Sequence, residues 1–275
     1  MDKLLDPKND IVFQKIFGMK KNKKILISFL NAILNLQGDN SIKDVQFEEK
    51  NIDVSLIASE KLSILDLHVI TEMNTEINIE MQLINQYNMI ERTIFYMSKM
   101  ILGQLKKGDD YANLNRTITI NILNFKYLDG NEFIKNYGIF EKTTKRKLTD
   151  LVEYIFIELP RLKETNKDYN TKLHKWLLFL LNPNDKEVDE FMKNDGEIKE
   201  AMDVLYNISG DKETVMLAEM REKAIMDEQS RLNGARKEGK IEGKIEVAKN
   251  LKKLGLDIKK IAEATGLTID EIEKL

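Results

Sequence analysis

The 275-residue chain is long enough for one sizeable domain with an appendage or for two modest domains, and its formal net charge is −3. It has only two histidines. It has no cysteine, which excludes disulfides, thiolate catalysis and cysteine-ligated zinc and fits a reducing compartment. No apolar run approaches the ~20 residues of a membrane span, and no secretory signal is apparent, so we expect a cytoplasmic protein without a membrane partner. Because a globally basic surface is absent, any DNA contact must come from local patches.

Two helices are predicted near the start, over residues 10–36. Apolar residues recur at helical spacing from Ile11 to Leu34, and the stretch FGMKKNKK interrupts them with a glycine and four lysines. The interruption favours two helices joined by a basic elbow over one long helix. The stretches DVQFEEKN and SILDLHVI that follow have the alternating, β-branched character of strands.

A β-hairpin is predicted for residues 62–84. In TEINIEMQLIN, apolar and polar side chains alternate, and Glu80 and Gln82 belong to the polar set. In the preceding strand, Asp66 and His68 share one face. Because residues opposite each other in an antiparallel pair point to the same face, the hairpin brings Asp66 near Glu80 and Gln82.

The register of this hairpin depends on the length of its turn. A two-residue turn would place Asp66 opposite Met81, on the wrong face. A turn with an odd number of residues places Asp66 opposite Glu80 or Gln82 and keeps the apolar side chains of both strands on the core side. Burial therefore favours the odd turn.

The polar face of the hairpin has two interpretations. Two carboxylates and an amide oxygen within a few ångströms repel unless one carboxylate is protonated or a cation lies between them. Oxygen ligands are those that Mg²⁺ prefers, and such an ion can polarise a phosphate and lower the pKa of bound water. The same alternation is also typical of a sheet with one solvent-exposed face, so the strand pattern alone leaves both interpretations open.

Later elements are mostly helical. A helix is predicted over residues 88–105, and strands are predicted for RTITINILNF and LVEYIFIEL. After these come predicted helices over residues 169–181 and 187–208 and a long polar helix from about residue 211. We therefore expect three parts, which cover residues 1–165 (core), 166–210 (helical elaboration) and 211–275 (helical tail).

The tail has its own sequence character. It repeats an EGKIE unit every four residues, which favours a solvated helical connector; a homodimer formed through the helical C-terminal region is the alternative. Two short helices are predicted around TGLT, with Thr268 and Glu271 as a capping box, and this outline suits a helix-turn-helix. Acidic residues in the second short helix favour a structural or protein-binding role over insertion into DNA.

The order of these motifs resembles a known family. LDLHV and INIEMQ follow the opener DPKNDIVFQKIFG and KKILISFLNAIL, and they precede ERTIFYMSKMILGQLKKGDDYANL, ITINIL and EYIFIELPRL. Over residues 5–162 this order is similar to the Rpn family of recombination-promoting nucleases, also described as transposases of the PD-(D/E)XK nuclease superfamily. The tail from Ala248 also resembles the tails of many members.

The resemblance implies an α/β fold with a restriction-endonuclease-like mixed sheet of about four strands flanked by helices, and an all-helical C-terminal extension. It implies that Asp66 and Glu80 bind Mg²⁺ or another divalent cation and that Gln82 replaces the usual catalytic lysine. The implied activity is metal-dependent DNA endonuclease activity linked to recombination, mobile elements or defence. Gln82 is uncharged and can orient water only by hydrogen bonds, so a catalytically silent DNA- or protein-binding member is the alternative.

Several other residues have two interpretations each. Asp10 is either an extra acidic ligand or the N-cap of the first helix. His68 belongs either to the site or to the structural framework, and Arg92 contacts either a phosphate or a surface carboxylate. The basic stretches KKNKK (20–24) and KTTKRK (142–147) either neutralise DNA phosphates near the hairpin or are solvated charge.

Overall fold

The computed structural model describes residues 4–48, 67–164 and 171–275. Its helices are α1 (Asp10–Phe17), α2 (Lys23–Ile33), α3 (Met89–Gln104), α4 (Lys172–Leu181), α5 (Lys186–Asn194), α6 (Gly196–Ser209), α7 (Lys212–Lys253), α8 (Ile258–Thr265) and α9 (Ile269–Glu273). Its strands are β1 (Val45–Phe47), β2 (Leu67–Thr71), β3 (Glu76–Gln82), β4 (Thr117–Leu123), β5 (Ile134–Phe140) and β6 (Lys147–Glu158). None of the helices in these ranges is long and apolar enough to cross a lipid bilayer.

The described strands form one mixed sheet in the order β1-β2-β3-β4-β6-β5. β3, β4 and β6 are parallel, and the neighbours β1–β2, β2–β3 and β5–β6 are antiparallel. This confirms the expected mixed α/β fold with a helical C-terminal region, although the described part of the sheet has six strands where about four were expected. The pattern of β5 did not predict a strand, because this edge strand exposes side chains on both faces and shows no alternation of buried and exposed residues.

The hairpin between β2 and β3 has a three-residue turn. Leu67 pairs with Ile79, and the Thr71 N–H donates to the Thr75 carbonyl at 3.0 Å across the turn. Asn74 adopts a left-handed φ of 57° and its N–H donates to the Thr71 carbonyl at 2.9 Å. The odd turn predicted from burial is therefore confirmed.

The left-handed turn residue gives a stability prediction. We expect Asn74→Ala to lower the free energy of unfolding by about 1 kcal/mol, because alanine is strained at positive φ, and Asn74→Gly to be close to the parent. Urea unfolding of the two variants measures this difference. Equal unfolding free energies for the alanine and glycine variants would show that this backbone conformation does not stabilise the hairpin.

The apolar face of the hairpin belongs to the main hydrophobic core. Ile77 and Ile79 are fully or almost fully buried, in one cluster with side chains of α1, α2 and α4. Aromatic rings fill the centre of this cluster, with centroid separations of 4.7 to 6.4 Å among Phe13, Phe17, Phe29, Trp176 and Phe179. The predicted core side of the strand is confirmed, and it leaves the opposite face of the sheet for polar chemistry.

The chain divides into two compact units, Met1–Lys223 and Ala224–Leu275. The single helix predicted over residues 187–208 is two helices, because the side chain of Asp195 accepts a hydrogen bond from the Ile198 N–H and begins α6. The three-part division expected from composition remains a prediction.

The second unit has a small hydrophobic core of its own. Ala248, Ile261 and Ile272 are fully buried in it. α8 ends at Gly266 with a left-handed φ of 67°, and Thr268 and Glu271 form a capping box at the start of α9. The two short predicted helices and their capping box are confirmed.

Candidate active site

The polar side chains of β3 do not face water, because α3 covers them. Asn78 and Glu80 are 5% and 2% exposed, and Thr119 and Asn121 on the adjacent strand β4 are 2% and 1% exposed. Buried polar groups are costly unless they are hydrogen-bonded or paired. The polar side chains of β3 and β4 therefore form a buried layer beneath α3. The interpretation of the alternation as a sheet with one solvent-exposed face is wrong.

Hydrogen bonds position α3 on this face near both of its ends. Near its start, the Thr93 hydroxyl donates to Asn121 Oδ1 at 3.0 Å. At its last residue, Gln104 Nε2 donates to the Thr117 hydroxyl at 2.8 Å. These contacts fix which α3 side chains lie above β3. The alternation of Thr117, Thr119 and Asn121 with isoleucines in β4 was a sequence signal for this polar face.

The Glu80 carboxylate has three polar contacts within the described residues. Gln82 Nε2 donates to Glu80 Oε2 at 3.2 Å, and Arg92 Nε lies 3.4 Å from the same oxygen. Asn78 Nδ2 donates to Oε1 at 3.5 Å. The predicted common face of Glu80 and Gln82 is thus present, and the cation beside them comes from α3.

Asp66 lies outside the described residues, so its predicted place opposite Glu80 or Gln82 remains a prediction. The described ladder between β2 and β3 ends at Leu67, which pairs with Ile79. Within the ranges that the structure covers, no three His, Asp or Glu side chains are grouped so that they could hold a metal ion. A metal site at Glu80 therefore requires a further ligand such as Asp66.

His68 lies on the same face as Glu80 but contacts other carboxylates. Its Nδ1 is 2.9 Å from Glu48 Oε2, and its Nε2 is 3.4 Å from Glu76 Oε2. The imidazole lines a cavity of about 250 Å³ that Glu80 does not line. This geometry favours the structural interpretation of His68. Glu76 could have been predicted from the alternation of β3. Glu48 directly follows β1, and no local pattern indicated that β1 pairs with β2, which brings Glu48 to His68.

The contacts of Asp10 fit neither of its two predicted roles. The N-cap of α1 is Asn9, whose side chain accepts a hydrogen bond from the Ile11 N–H at 3.1 Å, so the N-cap interpretation of Asp10 is wrong. The Asp10 carboxylate instead forms an ion pair with Arg221 of α7, whose side chain is buried. This ion pair accounts for Asp10 without a metal.

The two basic stretches lie at different places on the sheet. A Cβ added at Gly18, beside the KKNKK elbow, would lie 2.7 Å from Leu67 Cδ2, so the elbow is at the Glu80 end. The KTTKRK stretch connects β5 to β6, and Arg146 lies ten residues before Phe156, which is level with Glu80 across β4. At ~3.3 Å per residue this stretch is roughly 33 Å from that level, whereas the elbow is at the Glu80 end of the strands, on the side of the apolar face to which Leu67 belongs.

Comparison with protein-family models matches residues 7–235 to the PD-(D/E)XK nuclease family transposase. The chain belongs to this family. The match includes the hairpin, α3 and the parallel strands that form the polar face, and it confirms the resemblance drawn from the motifs. No curated protein and no solved structure matches the chain. A nuclease-like function is therefore supported at the level of the family.

Proposed function

We propose that this PD-(D/E)XK protein is a divalent-metal-dependent DNA endonuclease that hydrolyses phosphodiester bonds, with a role in recombination, mobile elements or defence. The observation that carries the proposal is Glu80, a carboxylate only 2% exposed beneath α3. In the part of the chain that the structure describes, its one ion-pair partner is Arg92, at 3.4 Å. A carboxylate buried at this depth needs compensating positive charge, which a metal ion can provide.

The donor atoms suit a hard divalent cation. Glu80 contributes a carboxylate ligand, and the amide oxygen of Gln82 is left for a water molecule, because the amide nitrogen makes the contact with Glu80. Nucleases of this family generally use divalent metals. We propose Mg²⁺, held by Asp66 and Glu80, because Mg²⁺ typically takes one or two carboxylates with water or phosphate oxygens. The ion, when bound, polarises the phosphate and lowers the pKa of water.

The protein side chains have separate roles in this proposal. Asp66 directly precedes Leu67, whose partner Ile79 directly precedes Glu80, so continued pairing would place the two carboxylates opposite each other. Gln82 accepts a hydrogen bond from the attacking water through Oε1 and orients it. It cannot remove the proton, because an amide is not a base at neutral pH. α3 excludes bulk water from the buried side of Glu80.

Cleavage of supercoiled plasmid tests this function. With Mg²⁺ we expect nicked and linear products, and with EDTA we expect none. Asp66→Asn keeps the side-chain size and removes the charge, so the rate is expected to fall at least about 100-fold. If the Asp66 variant cuts as well as the parent, or if EDTA has no effect, the proposed function is wrong.

A catalytically silent DNA-binding member is the second candidate. Two observations favour it: Gln82 is uncharged, and Arg92 already compensates the charge of Glu80. Such a protein would shift the mobility of a DNA duplex in a gel but leave supercoiled plasmid intact at any divalent-metal concentration. Binding together with metal-dependent cleavage excludes it.

The basic elbow is the proposed contact with the DNA backbone. Lys20 and Lys21 are exposed, and the elbow lies at the Glu80 end of the sheet. Replacing both with alanine is expected to weaken duplex binding and to reduce the slope of log K against log salt by about 1.8, or ~0.9 for each lost phosphate contact. Titrations of a fluorescent duplex at several salt concentrations measure this slope. The matched control replaces Lys142 and Lys145 and should change the affinity less; the reverse order would place the DNA elsewhere.

The C-terminal region is the proposed place of any homodimer contact. A Cβ added at Gly239 or Gly243 would meet no atom within 4 Å, so no described side chain covers these two positions. We expect light scattering to show a dimer in the full chain and a monomer after removal of residues 224–275 if this region mediates assembly. An unchanged association state would leave the solvated connector as the correct interpretation.

A further inference from the structure

Arg92 has an arrangement that a purely structural ion pair does not need. Its side chain is 14% exposed, and neither Nε nor Nη2 forms a hydrogen bond within the described structure. The guanidinium carbon lies 5.4 Å from the centroid of the Tyr96 ring, which supports it from one side. Because buried donors are normally bonded, the open donors indicate a partner other than Glu80.

The buried pair Arg161–Glu158 has a hydrogen bond that the Arg92–Glu80 pair does not have. Arg161 Nε donates to Glu158 Oε2 at 2.6 Å, in a short charge-assisted hydrogen bond. Arg92 Nε is 3.4 Å from Glu80 Oε2 and does not have hydrogen-bond geometry. Arg92 therefore compensates the charge of Glu80 without using its donors on it.

Among the side chains that the structure describes, those around Glu80 provide no other positive charge to this oxygen. Gln82, which contacts the same Glu80 Oε2, is neutral. Within the described residues, the cation that lies beside Glu80 and has donors left for an anion is Arg92. A guanidinium with two open donors on one side matches two oxygens of a phosphate.

We propose that Arg92 is a catalytic residue with two successive partners. Without metal it is the counter-ion of Glu80; when a divalent cation binds Glu80, the guanidinium turns to the scissile phosphate and stabilises the charge that develops there. The inference rests on the proposed endonuclease function and deepens it. It follows that Arg92 and the cation compete for Glu80, since positive charges a few ångströms apart repel each other.

Metal binding and cleavage, measured separately, test this role. Calorimetric titration with Mg²⁺ in the absence of DNA should show that Arg92→Met binds the ion about tenfold more tightly than the parent, because the competing charge is gone. The same variant should cut supercoiled plasmid at least about 100-fold more slowly, because the phosphate loses its donor. Arg92→Lys keeps the charge and should bind Mg²⁺ about as the parent does. A residue with only a structural role would not raise the affinity for the metal.

Arg116 offers a matched control. It is also an arginine paired with a glutamate on this sheet, with Nη2 2.5 Å from Glu153 Oε2 and an Nε that has no hydrogen bond within the described structure. Its carbonyl accepts from the Glu76 N–H, four residues before Glu80, so it lies about 13 Å away along the strand. Arg116→Met should leave both the Mg²⁺ affinity and the cleavage rate unchanged.

A rescue variant guards against misfolding of Arg92→Met, which leaves Glu80 buried without a counter-ion. In the double variant Arg92→Met/Gln82→Lys, an ammonium group would lie beside the same Glu80 oxygen, because Gln82 already contacts it. We expect this double variant to recover cleavage to within about tenfold of the parent. Circular dichroism melting shows which variants are folded. If Arg92→Met is not folded, Arg92→Lys and the double variant provide the test.

The outcomes separate this inference from the proposed function. A parent that binds Mg²⁺ and cuts DNA, with an Arg92→Met variant that binds Mg²⁺ no more tightly and cuts at a similar rate, overturns the role of Arg92 alone. Absence of rescue by lysine at position 82 in a folded double variant also overturns it. A parent that binds Mg²⁺ but cuts no DNA overturns the endonuclease function.

Discussion

Glu80→Gln is expected to reduce Mg²⁺-dependent plasmid cleavage by at least about 1000-fold. The substitution keeps the size of a side chain that is 2% exposed, but it removes the negative charge that attracts the cation. Loss of one stabilising group in an active site typically costs 100- to 1000-fold, and this change removes a metal ligand as well. Initial rates of plasmid nicking measure the effect, with circular dichroism as a check on folding.

Glu76→Gln is the matched control for this prediction. Glu76 lies on the same strand and the same face, four residues before Glu80, and contacts His68 Nε2 at 3.4 Å. We expect its rate to stay within about threefold of the parent, because it is one of the residues around His68 rather than part of the candidate site. Equal losses in the two variants would indicate that burial of polar groups beneath α3, rather than metal binding at Glu80, is what matters.

Glu158→Ala is expected to lower the free energy of unfolding by about 3–5 kcal/mol. The carboxylate is 1% exposed at the end of β6 and accepts hydrogen bonds from the N–H groups of Tyr127 and Leu128. Lys135 Nζ and Arg161 Nε donate to it at 3.0 and 2.6 Å. Removing it leaves these donors and two cations without their shared acceptor.

Thermal unfolding measures this loss, which should lower the midpoint by roughly 10 °C for a unit of about 200 residues. Glu164→Ala is the control, because Glu164 forms an exposed ion pair with Lys126 at 2.6 Å. An exposed pair is worth little, so we expect a change within about 0.5 kcal/mol. A Glu158 variant that unfolds like the parent would show that the network around it does not stabilise the fold.

The same carboxylate gives a pH dependence. Burial raises the pKa of Glu158, but hydrogen bonds from Tyr127, Lys135, Leu128 and Arg161 outweigh it and hold the pKa below its usual 4.5. A lowered pKa in the folded state means that Glu158 stabilises the protein fully above pH 4.5 and that the contribution is lost as the pH falls through the folded pKa. The stability difference between the parent and Glu158→Ala should therefore narrow below about pH 4.5. A constant difference between pH 7 and pH 3 would contradict this assignment.

The sequence predicted the strand faces and the turn of the hairpin, but it did not predict which helix covers the polar face of the sheet. Alternation in β3 placed Glu80 and Gln82 on one face, and burial selected the correct odd turn, because both follow from a period of two and a single core face. Alternation does not state what covers the polar face. That α3 brings Arg92 to Glu80 depends on tertiary contacts between segments that no local pattern specifies.

The proposed function requires that the polar face beneath α3 binds a divalent cation for DNA cleavage. Anomalous diffraction from crystals soaked in Mn²⁺, with Mn²⁺ as a stand-in for Mg²⁺, tests it most directly. We expect one strong anomalous peak within bonding distance of a Glu80 carboxylate oxygen and of Asp66. Soaked crystals that cut DNA when dissolved, but whose Mn²⁺ lies elsewhere with no peak at Glu80, would contradict it.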